Sequence, residues 1–190
     1  MVSTTHTVAG NSLRLWLRQP TLPTAFLICL AAAAMLRAFS FRVAGLDWDE
    51  SLYIVMAQRW LQGGLPYVAV WDQHPAGLPA LFAAAQWLIG DGLLAARLAA
   101  LLAVAGTACL LFAAWDRLAG QRLAGALAAA IYLLAMDRPD GLAANTEVFN
   151  NLFVTAAAVL LLGEALRPAG LVRAGRMFCA ALLFGVGLQI

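Results

Sequence analysis

Residues 93–115 read LLAARLAALLAVAGTACLLFAAW, twenty-three positions with a single charge, Arg97. As an α-helix this run rises about 34 Å, more than the roughly 30 Å hydrocarbon core of a bilayer. A helix apolar on every side belongs in a large core or in lipid. A chain of 190 residues has no core large enough to surround it. Composition agrees: 63% of residues are hydrophobic and 12% charged, against about half and about a quarter in soluble domains. The stretch therefore places the chain in the all-α, membrane-embedded class.

Four further apolar runs flank it, at 22–40, 123–136, 147–166 and 177–190. A fifth, 76–89, would rise only about 21 Å and falls short of a full crossing. Charge decides how to treat it. If 76–89 lies in the interface, Arg14, Arg18, Arg117, Arg122, Arg167, Arg173 and Arg176 all fall in short segments on one side. That is the positive-inside pattern. Asp47, Asp49, Glu50, Asp72, Asp91, Asp137, Asp140 and Glu147 then gather on the other side. The expected architecture is an all-α polytopic transmembrane helix bundle of about five spanning helices. Residues 1–21 form a cytoplasmic tail and 22–190 the membrane module, with a helical external loop at 41–92. The first apolar run is too long for a cleaved signal peptide and no small-x-small cleavage site precedes a soluble domain, so it reads as a signal anchor. A bacterial inner membrane, multi-pass, is the expected location.

The 41–92 loop is far longer than the usual helix connection. Asp47 is placed to cap a helix at about 49–62, with Glu50 three residues on as the second half of a capping box. Gly63-Gly64 and Pro66 end that helix. Tyr53, Trp60, Tyr67, Trp71 and Trp87 fit the headgroup level, where aromatic side chains collect. All twelve basic residues are arginine, so neither a P-loop lysine nor a Schiff-base lysine is available. Cys29, Cys109 and Cys179 lie in apolar runs and read as small hydrophobes. No nucleic-acid partner is expected.

Chemistry concentrates in the two acid-bearing outer loops. Asp49 and Glu50 are either solvated capping acids or a general base at the membrane surface. Asp47-Trp48-Asp49 has a spacing that can hold a divalent cation beside a phosphate. Glu147 follows Asn145-Thr146 at the mouth of an apolar helix, where an ionisable group is costly and often functional unless the helix dipole explains it. Asn150 and Asn151 point to a helix face turned from lipid. Asp72-Gln73-His74-Pro75 brings an imidazole to the membrane edge. Arg59, Arg97 and Arg138 can either bind phosphate or snorkel to headgroups.

Taken in order, Asp49-Glu50-x-x-Tyr53, Gly63-Gly64-x-Pro66-Tyr67, Asp72-x-His74-Pro75-x-Gly77, Arg97-Leu98, Arg117…Gly120-x-Arg122, Asn145-Thr146-Glu147 and Gly185-x-Gly187-x-x-Ile190 form a series. It resembles family 39-type glycosyltransferases of the GT-C superfamily, the protein O-mannosyltransferase and aminoarabinose-transferase-like enzymes. The resemblance runs from about residue 22 to the C-terminus. It implies sugar transfer, usually inverting, from a polyprenyl-phosphate carrier to a lipid, protein or polysaccharide acceptor at the outer face. On that resemblance Asp49 is the base, Glu50 its motif neighbour, and Glu147 a positioning acid, the three making the catalytic set. Tyr53, Tyr67, Asp72, His74, Arg138 and Asn145 make the substrate-binding set. His74 stands where the family commonly has lysine, which implies a weaker or pH-dependent grip on the carrier phosphate. Gln73 departs from an acid or histidine, which argues against a metal there. Relatives of this type carry many more spanning helices, so the chain is expected to be an incomplete N-terminal part, inactive alone. The alternative is a transporter or channel module with ionisable residues lining a substrate path.

Overall fold

The computed structural model describes residues 21–166 and 173–190. The tail arginines Arg14 and Arg18, and Arg167, lie outside the described residues. Those described form eight helices and no strand: α1 (Leu22–Arg37), α2 (Trp48–Leu61), α3 (Gly77–Ile89), α4 (Gly92–Leu118), α5 (Arg122–Ala135), the four-residue α6 (Pro139–Leu142), α7 (Thr146–Ala165) and α8 (Arg173–Gly187). A single 3-10 turn, Ser40–Arg42, follows α1. The helix expected at 49–62 is α2, and the short apolar run at 76–89 is α3.

Two of these helices, α4 with 27 residues and α7 with 20, are long and apolar enough to cross a membrane. The others that are apolar, α1, α3, α5 and the Ala174–Gly187 part of α8, are shorter. Helix α4 is the hub, packed against α1, α2, α3, α5 and α7, while α8 lies on α7. Its sequence explains the role. Ala95, Ala96, Ala100, Ala103, Ala105 and Ala108 are buried along it, and small residues let neighbouring helix backbones approach. A Cβ on Gly106 would sit 2.9 Å from Leu152 of α7, and one on Gly125 of α5 would sit 2.7 Å from the Phe112 carbonyl oxygen. Outward faces are apolar too: Ile28, Met35, Leu123, Ile131 and Phe178 are all exposed.

Helix α2 starts and stops where local chemistry says it should. Asp47 is extended at φ −151° and its side chain accepts the Trp48 N–H. At the far end Gly64 N–H donates to the Arg59 carbonyl and Gly63 N–H to that of Trp60. Gly63 adopts φ +88°. Together these are the paired bonds of a Schellman C-cap, whose left-handed residue is cheapest as glycine. Chain reversal there directs 65–76 back toward the start of α2. Tyr67 lies on this return at φ +64°, an uncommon conformation for a side chain of its size.

Candidate functional site

Helical phase sorts the acids of α2. Glu50, Tyr53, Met56 and Ala57 face inward and are buried, the i, i+3, i+7 stripe of a helix lying on a core. Asp49 falls beside that stripe and is half-exposed. It sits one turn before Tyr53, the i, i+4 spacing that brings side chains together.

Glu50 does not close the expected capping box. Its carboxylate, with no exposed surface, takes a bidentate pair from Arg97 of α4: Nε to Oε1 at 3.1 Å and Nη2 to Oε2 at 2.8 Å. Oε1 also accepts the Ala144 N–H at 3.0 Å, from the loop before α7. The remaining Arg97 nitrogen, Nη1, donates to the carbonyls of Ser40 and Val43. The reason is geometric: from the buried stripe of α2 the carboxylate faces α4, away from its own helix N-terminus. Arg97 is likewise no snorkelling or phosphate-facing cation, since it is 1% exposed and its fork is filled. A planar guanidinium suits this task because it bonds two carboxylate oxygens and backbone oxygens at once.

Two more contacts hold the 141–147 segment to the neighbouring elements. Asn145 Nδ2 donates to Asp47 Oδ2 at 2.6 Å, while Oδ1 of the same Asp47 holds the α2 N-terminus. Arg37, buried at the end of α1, donates to the carbonyls of Gly141 and Leu142. The 40–50 and 141–147 segments thus form one connected structure.

Above this junction a polar group surrounds the Tyr53 phenol. Tyr53 is buried, with Thr146 of α7 near its phenol. Burial raises the phenol above its usual range; the Thr146 side chain opposes that, and the nearby carboxylates of Asp49, Asp72 and Glu147 add to it. The His74 ring stands edge-on to Tyr53 with centroids 6.1 Å apart. His74 Nδ1 lies 3.1 Å from Asp72 Oδ2, and Tyr67 Oη donates to the His74 carbonyl at 3.1 Å. Asp49, Tyr53, Tyr67, Asp72, His74, Asn145 and Glu147 are therefore assembled from three sequence segments at one end of the bundle. Glu147 is exposed in the first turn of α7. Arg138, exposed at the N-terminus of α6, makes no side-chain bond to this group. Among the described residues no three His, Cys, Asp or Glu side chains cluster as a metal site.

An apolar cleft of about 540 Å³ opens at Gly77, three residues beyond His74, lined by Leu81, Phe153, Leu182 and Val186. Asn150, at the side of α7, packs on Gly187 of α8. Sequence reasoning missed Arg37 as a functional scaffold residue. Its only signal was a cation closing an apolar run, which reads equally as an interface anchor.

No family model, curated protein or solved structure matches this chain. The residues themselves carry the functional argument.

Proposed function

We propose that the chain is the N-terminal membrane module of a glycosyltransferase that moves a sugar from a polyprenyl-phosphate carrier to an acceptor at the outer membrane face. In this reading α1, α4, α5, α7 and α8 span the bilayer, with the 41–92 loop on the outer side of a bacterial inner membrane. The observation that carries it is the convergence of Asp49, Asp72, His74 and Glu147 on one buried phenol from loops about a hundred residues apart. Exposed apolar faces on α1, α5 and α8 support embedding in lipid.

The chemistry needs a base and charge stabilisation at headgroup depth. Asp49, half-exposed on the open side of the group, removes the acceptor hydroxyl proton as that oxygen attacks the anomeric carbon. The bond from that carbon to the carrier's phosphate oxygen breaks, and polyprenyl phosphate leaves with the electron pair. His74, held by Asp72, and Arg138 on the neighbouring loop meet the phosphate; Glu147 orients the acceptor. The cleft beside Gly77 accommodates the isoprenoid chain next to its phosphate. Polar groups arranged in advance around developing charge are the main source of such rate enhancement.

The test is transfer of a radiolabelled sugar from a polyprenyl phosphate in membranes holding the complete glycosyltransferase that contains this module. Asp49→Asn is expected to lower kcat by about a hundredfold or more, the usual contribution of a general base, with donor KM little changed. Unchanged transfer at normal expression overturns the reading. So does solute flux that depends on Asp49 and Glu147 in a protein that transfers no sugar.

A further inference from the structure

We propose that Glu50 and Arg97 are a positioning pair: a buried latch that fixes the 141–145 loop against α2 and so sets Asp49 and Glu147 on a common face. The inference rests on the reading of those two acids as reacting groups, but its structural half stands without it.

Three observations carry it. First, the two side chains are 0% and 1% exposed and bonded through both carboxylate oxygens, so neither can reach a substrate without dismantling the junction. Second, every remaining bond of the pair goes to backbone of a site-bearing segment: Ser40 and Val43 ahead of Asp49, and Ala144 ahead of Glu147. Backbone partners define where a loop lies more strictly than side-chain partners, which can swing. Third, Glu50 is the immediate neighbour of Asp49 and projects from a different side of the same turn. Fixing Glu50 on α4 fixes the rotation of α2, and with it the direction of Asp49. Ala144 lies three residues before Glu147, so the same carboxylate also fixes the entry to α7.

An ammonium cannot replace this fork. Lysine at 97 retains the charge but cannot bond both carboxylate oxygens and two carbonyls at once. In Arg97→Lys the amides of α4 and α7 are expected to stay protected in hydrogen exchange. Exchange across 141–145 should rise about tenfold or more, as expected for loosening bonds to a charged acceptor. Sugar transfer should fall about a hundredfold in kcat, with donor KM nearly unchanged, the signature of misplaced reacting groups. If Arg97→Lys does not fold, Glu50→Leu/Arg97→Met removes both charges together and restores the packed core. That double variant should show a protected α4, a fast-exchanging 141–145 loop and the same loss of kcat.

Wild-type protection at 141–145 in a folded variant overturns the latch. Faster exchange with undiminished transfer overturns its positioning role. Faster exchange with no sugar transfer by the complete wild-type protein that contains this module upholds the latch and removes the glycosyltransferase reading instead.

Discussion

Each end of α4 carries an ion pair, and the two are built differently. At the start, Arg97 and Glu50 are 47 positions apart in sequence, almost without exposure, bidentate, and reinforced by three backbone groups. At the end, Asp116 and Arg122 are six positions apart and joined at 3.3 Å, with the arginine 32% exposed. The second pair spans a tight turn that already closes through Gly120 in a left-handed conformation and a Gln121 N–H bond to the Trp115 carbonyl. The first holds together segments far apart in the sequence, beside the Asp47–Asn145 bond and the Arg37 bonds to Gly141 and Leu142. A buried ion pair is weak evidence for stability, because desolvation offsets much of its attraction. Its value at the start of α4 lies in which segments it joins.

The sharpest way to break that contrast is to leave one charge unpaired. Glu50→Ala strands a buried guanidinium, and removing one member of a buried pair costs about 3–5 kcal/mol. Equilibrium unfolding in detergent should show a loss of that size, with the Ala144 amide left without its acceptor. A loss under about 1 kcal/mol would mean that water reaches Arg97 freely and that the two ends of α4 are equivalent.

A smaller effect is expected one turn back. Asp47 holds the α2 N-terminus with one oxygen and Asn145 with the other. Asp47→Ala should therefore cost about 0.5–2 kcal/mol, the range for a lost N-cap. It should also loosen Asn145, which a cap without a tertiary partner would not do. Amide exchange at 145–147 separates the two: faster exchange there, with α4 unaffected, marks Asp47 as part of the loop junction.

This contrast also explains what the sequence could and could not say. Helices α1, α2, α3, α4, α5, α7 and α8 fall on the apolar runs and caps that announced them, because periodicity, capping residues and Gly63-Gly64 act locally. Asp47 as the cap is likewise a local fact. Glu50 had two possible employments, its own helix N-terminus or a distant cation, and nothing in the neighbouring letters chooses between them. Packing chose, by turning the Glu50–Tyr53–Met56 stripe inward. Arg97 and Arg37 were obscured for the same reason: an arginine inside or closing an apolar run looks like an interface anchor until the carbonyls it bonds are seen. Arg138 shows the converse. Sequence put it on the loop of Glu147, yet its side chain stands in the open, while that loop is held at the junction through the backbone of Gly141, Leu142 and Ala144 and the side chain of Asn145.

The smallest expected effect lies at the far end of α4. Asp116→Asn keeps the side-chain shape and the ability to accept from Arg122 but removes the charge. The arginine is about a third exposed, so solvent screens the pair and the loss should be at most about 1 kcal/mol. The turn retains its backbone closure, and neither the Glu50 junction nor the acids around Tyr53 share a partner with it, so the effects should add when Asp116→Asn is combined with Asp47→Ala. Added salt should reduce the penalty further, since a partly solvated pair is weakened by ions and a dry one is not. A penalty near that of Glu50→Ala, insensitive to salt, would show that Asp116 and Arg122 bear on the distant end of the bundle. The division of α4 into a site-building end and a turn-closing end would then fail.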